Sequence, residues 1–302
     1  MEFNNLEIDW EYLLERIERF LDLGDEYLTR KLIDYQPDPQ LFQQHLAFRW
    51  IKSYHTGYFE AVTFPDLQDH ASLMGMDDIL DRLSENTAQF VYGLPCNNIL
   101  LRGEPGNGKR SAIKGLLKKF ADKGLRLIQI NSRDLHQLPS ITSCLRNLPF
   151  YFILLCCDLF HSTTTENHKE LANWLQGGIE TRAKNVLLYA TSNCATPSSA
   201  YANDSHSSNP ANRRNKAVEE SLAEAGFGII INMSPMQKTI YLAICRHLLQ
   251  QHALSPGEDS WQASALAWAE QRKGYCGLMA RQFTNDLAGQ TILRQILTKK
   301  ST

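Results

Sequence analysis

Residues 97–111 read Asn-Asn-Ile-Leu-Leu-Arg-Gly-Glu-Pro-Gly-Asn-Gly-Lys-Arg-Ser: a short apolar run, a glycine-rich turn and a basic helical start. Gly103, Gly106 and Gly108 open backbone conformations closed to residues with a side chain, so consecutive amides can turn inward around an anion. The helix starting near Lys109 points its positive dipole end at the same place, and Lys109 reaches from it toward phosphate oxygens. The stretch predicts a strand, a phosphate-binding loop and a helix. Gly103, Glu104, Pro105, Gly106, Asn107, Gly108, Lys109, Arg110 and Ser111 are the expected nucleotide contacts, with ATP as the expected nucleotide. A glycine-rich turn with a lysine is often a plain surface loop; the apolar run directly before this one makes it specific.

One position breaks the pattern. After the lysine such a loop carries Ser or Thr, whose hydroxyl binds Mg²⁺, and here the residue is Arg110. Ser111 does not substitute, because the next residue on a helix points about 100° away. The sequence therefore assigns no metal ligand and leaves dependence on Mg²⁺ open.

Downstream of the loop, apolar runs alternate with helical patterns. Strands are predicted at 97–102, 125–130, 151–157, 185–190 and 228–232, with helices to about Asp122, near 140–148 and at 169–178 between them. Near-continuous apolar strands separated by helices imply a parallel sheet covered on both faces, a three-layer α/β core. Upstream, Trp10, Leu13, Leu14, Ile17, Phe20 and Leu21 fall at helical spacing, a second helix is read through Leu28 and Ile33, and a third through 41–54. From Ser234 onward the pattern is all helical. The expected domains are an N-terminal helical region (1–70), the α/β core (71–233) and a C-terminal helical lid (234–302). Residues 194–216, rich in Ser, Asn and Pro, are expected to form a mobile insertion, a solvated loop rather than an anion contact.

Composition bounds the function. The chain has 302 residues, 43% hydrophobic and 21% charged, which suits a buried core with an appendage. A formal net charge of −2 gives no global field favouring nucleic acid or an anionic membrane. The acidic start, Met1-Glu-Phe-Asn-Asn, lacks the pattern of a secretory signal, so a cytoplasmic location is expected. The most apolar segment, 150–160, is interrupted by Asp158 and falls short of the roughly 20 residues needed to span a bilayer. Seven cysteines form no Cys-x-x-Cys pair and no ligand spacing with the histidines, so reduced structural thiols are expected.

An α/β core followed by a helical lid is the arrangement of AAA+ ATPases, and particular blocks resemble one group among them, a predicted bacterial AAA+ family known as domain of unknown function 815. The similarity covers most of residues 47–289. Its markers are Ala47-Phe-Arg-Trp50, Gly75-Met-Asp77, Glu85-Asn-Thr87, Gly93-Leu-Pro95, Asn97-Asn-Ile-Leu-Leu101, Gly124-Leu-Arg-Leu-Ile128, Ala190-Thr-Ser-Asn193, Ala280-Arg-Gln-Phe283 and Asp286-Leu-Ala-Gly289. The resemblance implies a P-loop NTPase fold whose phosphate-loop strand lies between the final strand and the neighbour of the strand ending at 157. It implies that Asn193 orients the attacking water and that Arg281 is a lid arginine reaching the γ phosphate.

The same resemblance exposes departures. Where the family ends a strand with two aspartates, this chain has Cys157 and Asp158. The first aspartate normally holds Mg²⁺, and a thiol is a poor ligand for so hard a cation. Asp158 keeps the position that polarises water, although an Asp after an apolar strand also serves as a helix cap. Leu278 stands where a second lid arginine is expected, and Gly226 where an arginine would act on a neighbouring subunit's ATP.

Changes at Arg110, Cys157 and Gly226 together point to a protein that binds ATP but is impaired in Mg²⁺-dependent hydrolysis. Two other readings stand beside it: an active ATPase in which Asp158 doubles as metal ligand, and a nucleotide-free adaptor that uses its surface to bind a protein partner or a further copy of itself.

Overall fold

The computed structural model describes residues 9–33, 36–53, 57–160, 165–177, 181–193, 226–252, 258–272 and 274–300, and the 194–216 insertion lies outside them. Within these residues one sheet of 7 strands runs in the order β2-β1-β4-β5-β6-β3-β7. The strands are β1 (Ala47–Lys52), β2 (Gly57–Ala61), β3 (Ile99–Arg102), β4 (Leu125–Ile130), β5 (Tyr151–Cys156), β6 (Val186–Ser192) and β7 (Ile229–Asn232). Parallel pairing joins β4 to β5, β5 to β6, and β3 to both β6 and β7. The glycine-rich loop thus leaves a strand flanked on one side by the final strand and on the other by the neighbour of β5, as the resemblance implies.

Alternation along the central strands sorts their side chains onto two faces. Leu100, Ile128, Leu154 and Leu188 pack with Ile141 of α5 (Leu138–Leu145) and Leu171 of α6 (Thr165–Gln176). Ile99, Leu101, Ile153 and Tyr189 face the other way, onto Leu83 of α3 (Asp77–Val91) and Leu116 of α4 (Lys109–Phe120). Both faces are covered, which gives the three layers.

Polar residues at the start of β3 set its depth. The Asn86 side-chain amide donates to the Asn97 carbonyl at 2.8 Å, and the Asn97 amide returns a bond to Asn86 Oδ1 at 3.0 Å. Tyr189, whose phenol is pushed up to about 12 by burial, accepts from Asn86 at 2.9 Å and pairs with Thr87 at 2.9 Å. Asn98 Oδ1 accepts the Leu188 amide at 2.9 Å. Helix α3 is tied by this network to two strands of the sheet.

The N-terminal region differs from the helical reading. The first two expected helices are one, α1 (Trp10–Ile33), and the third is a short α2 (Pro39–Gln44) followed by strand β1. Strand β1 adds to the sheet edge in parallel with β4, and β2 pairs back onto it antiparallel, so the sheet is mixed at that edge rather than wholly parallel. The physical reason lies in period: Phe48 and Trp50 are buried while Arg49 is exposed, a spacing of two that a strand satisfies and a helix does not. Arg126 fixes α2 at this edge by donating from Nε to the Phe42 carbonyl at 2.6 Å.

The C-terminal helices α7 (Lys238–Gln251), α8 (Glu258–Glu270) and α9 (Gly277–Lys300) share a separate core around Tyr241, Trp261, Ala265 and Phe283. This is the expected helical lid. No helix among the described residues is long and apolar enough to cross a membrane.

The β1–β2 hairpin carries a sharp steric requirement. A Cβ at Gly57 would stand 2.2 Å from Cζ2 of Trp50, whose Nε1 donates to Gln137 at 2.6 Å. Gly57→Ala is therefore expected to overpack this edge and cost about 1–3 kcal/mol, read as a lower urea midpoint; an unchanged midpoint would mean that the hairpin is not part of the cooperative core.

Candidate functional site

The turn after β3 depends on its glycines: φ is +88° at both Gly106 and Gly108, a conformation that strains any residue with a Cβ. At Gly106 a Cβ would also lie 2.7 Å from the sulfur of Cys276, just before α9, so the loop and the lid touch here. Helix α4 begins at Lys109 with no side-chain cap and no acidic residue in its first turn. Its leading amides have no cap from a side chain, and Lys109 and Arg110 stand against the helix dipole. An anion at this terminus relieves both conditions.

Lys109 is buried, and its ammonium donates at 2.7 Å to each of the carbonyls of Gly103 and Glu104. Burial pulls its proton affinity below the ordinary lysine value, while the Asp158 carboxylate acts in the opposite direction. Asn107 is buried as well, yet neither its Oδ1 nor its Nδ2 has a hydrogen-bond partner. Such an unmet amide carries a desolvation penalty of about 1–3 kcal/mol.

Opposite the loop, Asn193 follows the end of β6 and Asp158 the end of β5. Its φ is +53°, the one positive value at a non-glycine residue among those described, and an Asp tolerates it better than most side chains. The turn is held by Thr191, whose hydroxyl accepts the Asp158 amide at 3.1 Å and whose carbonyl accepts the Leu159 amide at 2.8 Å. The carboxylate of Asp158 is ion-paired with Arg110 and accepts from Asn193 Nδ2 at 2.5 Å. Cys157 sits beside this group; burial raises its thiol above the ordinary value, with the Arg110 guanidinium opposing.

A cavity of about 630 Å³ lies between the core and the lid. Pro105 to Ser111, Asp158, Asn193 and Arg281 all line it, so segments distant in sequence meet at one cavity. Gly103 and Glu104 are not on its wall and act through the carbonyls that hold Lys109. Gly226 lies elsewhere, against Leu175, on a cavity of about 1030 Å³ at the opposite ends of the strands.

Sequence reasoning missed the apolar side of the smaller cavity. Leu73, Met74 and Met76 come from the segment before α3, and Ile244 and Leu248 from α7. The former segment is strapped to α4 by Lys114–Asp66 at 2.9 Å, Lys118–Asp69 at 2.6 Å and the His70 ring on the Ala112 carbonyl at 2.8 Å. The Lys114 hydrogen bond leads in holding Asp66 below the usual carboxylate range. A signal was available on α7, where Ile244, Leu248 and Gln251 repeat at helical spacing.

Comparison with known proteins places this geometry. Residues 43–291 match the family described as Protein of unknown function (DUF815), and the chain belongs to it. No curated protein matches. Among solved structures, ORC1 of Aeropyrum pernix in complex with DNA aligns at a TM-score of 0.50 and 15% identity, over 75% of this chain and 65% of that one. The Thermotoga maritima RuvB Holliday junction branch migration motor aligns at 0.44 and 11%, over 73% and 72%. Hsp104 with ATPγS and FITC-casein aligns at 0.49 and 16%, over 76% and 39%. The fold is that of AAA+ P-loop proteins.

The unmet amide gives a direct test of whether this loop is arranged for a ligand at the expense of the free protein. Asn107→Ala removes the buried amide and is expected to raise the thermal midpoint of the ligand-free protein while weakening phosphate binding. A lowered midpoint would show that the amide is satisfied in the free state.

Proposed function

We propose that this chain is a nucleotide-binding AAA+ protein that takes ATP phosphates through Lys109 and the amides of the 103–109 loop, and that it hydrolyses ATP poorly. The observation that carries this reading is the Arg110–Asp158 ion pair, which sets a guanidinium where a metal-binding hydroxyl is expected and engages the one carboxylate left at the end of β5.

The residues fit a nucleotide. Uncapped amides at the start of α4, the unmet Asn107 amide and a buried ammonium held by two carbonyls are groups that a phosphate would satisfy. The apolar wall of Leu73, Met74, Met76, Ile244 and Leu248 suits the flat face of a base. A nucleotide bound here would be held by Lys109, in exchange for its two carbonyl bonds, and by Arg281 on the lid side of the same cavity.

The same residues do not fit Mg²⁺. Arg110 replaces the hydroxyl ligand, Cys157 offers a neutral thiol, and Asp158 is engaged by Arg110 and Asn193. Arg110 instead supplies positive charge of its own. Charge neutralisation between the β and γ phosphates, which phosphoryl transfer requires, is then weak, so binding is separated from turnover.

Repair of the metal position tests this. Arg110→Ser and Cys157→Asp each restore one ligand of a single ion, so their effects are expected to be non-additive. The double variant should gain Mg²⁺-dependent ATPase activity at least tenfold above the parent while each single change does little. Lys109→Ala should weaken ATP binding about 10- to 100-fold, the loss of one charge-assisted contact of roughly 1.5–3 kcal/mol. A parent that already turns over ATP with Mg²⁺, at a rate abolished by Lys109→Ala, would instead make Asp158 a metal ligand. Absence of any binding at millimolar ATP would favour the adaptor reading.

A further inference from the structure

The lid side of the smaller cavity carries a polar pair that phosphate recognition does not use. Ile244, His247, Leu248 and Gln251 of α7 all line the cavity, and at about 100° per residue they fall on one face of the helix. The start of that face lies beside the phosphate loop. A Cβ on Gly75 would stand 2.7 Å from Ile240, and a Cβ on Gly108 would stand 3.1 Å from the sulfur of Met76. At a rise of about 1.5 Å per residue, His247 is about 10 Å and Gln251 about 16 Å further along α7 than Ile240. A nucleotide with its phosphates at Lys109 and its base against Leu73, Met74 and Leu248 would turn the edge of that base toward this pair.

The pair has a defined polarity. Nε2 of Gln251 lies 3.0 Å from Nε2 of His247. An amide nitrogen only donates, so the imidazole Nε2 accepts and the ring carries its proton on Nδ1. The amide nitrogen is thereby held on the histidine side and Oε1 on the other. Gln251 is exposed, and its second N–H and its Oε1 are open to a ligand. One donor and one acceptor are presented together, in an order set by the bond to His247.

We propose that Gln251, oriented by His247, reads the edge of the base and selects adenine over guanine, an inference that rests on the nucleotide reading above. Adenine carries the N6 amino donor beside an acceptor nitrogen, N7 on one edge and N1 on the other, and a single glutamine amide meets both groups. Guanine places the acceptor O6 where N6 stands, so two oxygens would face each other with no proton between them. Turning the amide over would answer guanine, but the ring would then have to move its proton to Nε2, so the two groups turn only together. Gln251 is the group that touches the base, and His247 is a positioning residue. The base is read from the lid, on a different element from the loop that holds the phosphates.

Calorimetric titration of the full chain with ATP, GTP and inorganic triphosphate tests this. Inorganic triphosphate has no base, so it reports the loop alone and shows that each variant is folded. The parent is expected to bind ATP at least tenfold more tightly than GTP. Gln251→Leu should bring ATP down to the level of GTP. His247→Leu should raise GTP to within threefold of ATP while ATP itself changes less than threefold, because the released amide then serves either base; a merely structural role for His247 would lower both nucleotides alike. A parent that binds ATP and GTP equally, or ATP no more tightly than inorganic triphosphate, overturns the inference and leaves the phosphate loop as a binding site. Variants that keep the parent's preference overturn it too. A parent that binds none of the three removes the nucleotide reading itself, and this inference with it.

Discussion

The burial of β3 on both faces is the constraint from which the rest follows. Ile99, Leu100 and Leu101 have no exposure at all, so their amides and carbonyls must be paired on both edges. Strands β6 and β7 supply those partners in parallel register, with Leu101 opposite Thr191 on one side and Ile231 on the other. Parallel neighbours cannot be joined by tight turns, and α4, α5 and α6 carry the chain back from β3 to β4, from β4 to β5 and from β5 to β6, so these strands end at the same edge. The turn at 103–108, the turn at 157–159 and Asn193 thereby meet at one place. The cavity is a consequence of how a wholly apolar tripeptide is satisfied.

At that edge the chain has concentrated cations. Lys109 is held by two carbonyls, Arg110 by Asp158, and Arg281 lines the lid side of the cavity. Asp158 serves both Arg110 and Asn193, so the carboxylate is an organising group in the ligand-free protein. A metal at this edge would have to displace a guanidinium already paired with its ligand. An anion would not, since it gains from each cation present. This asymmetry between anion and cation underlies the separation of binding from turnover proposed above.

Much of this was legible in the sequence because the signals were local. The strands at 125–130 and 151–156 are unambiguous apolar runs, and the glycine spacing from 103 to 108 admits few alternatives. The stretch from 47 to 52 was misread because Phe48 and Ile51 also fit a helical row with Leu41, although Trp50 does not; pairing with β4, set by tertiary structure, chooses the strand. The Arg110–Asp158 contact spans 48 residues and could not be inferred from spacing, even though both positions were already candidates. Likewise the apolar wall at 73–76 owes its place to Asp66, Asp69 and His70 gripping α4, a set of exposed and half-buried contacts without a periodic signature.

The central claim is that Arg110 stands in for a metal ion in the recognition of phosphate. Calorimetric titration of ATP into the parent protein, once with excess Mg²⁺ and once with EDTA, measures this most directly. The account predicts dissociation constants within about threefold of each other, equivalent to under about 0.7 kcal/mol. Binding tighter by tenfold or more with Mg²⁺ would contradict it.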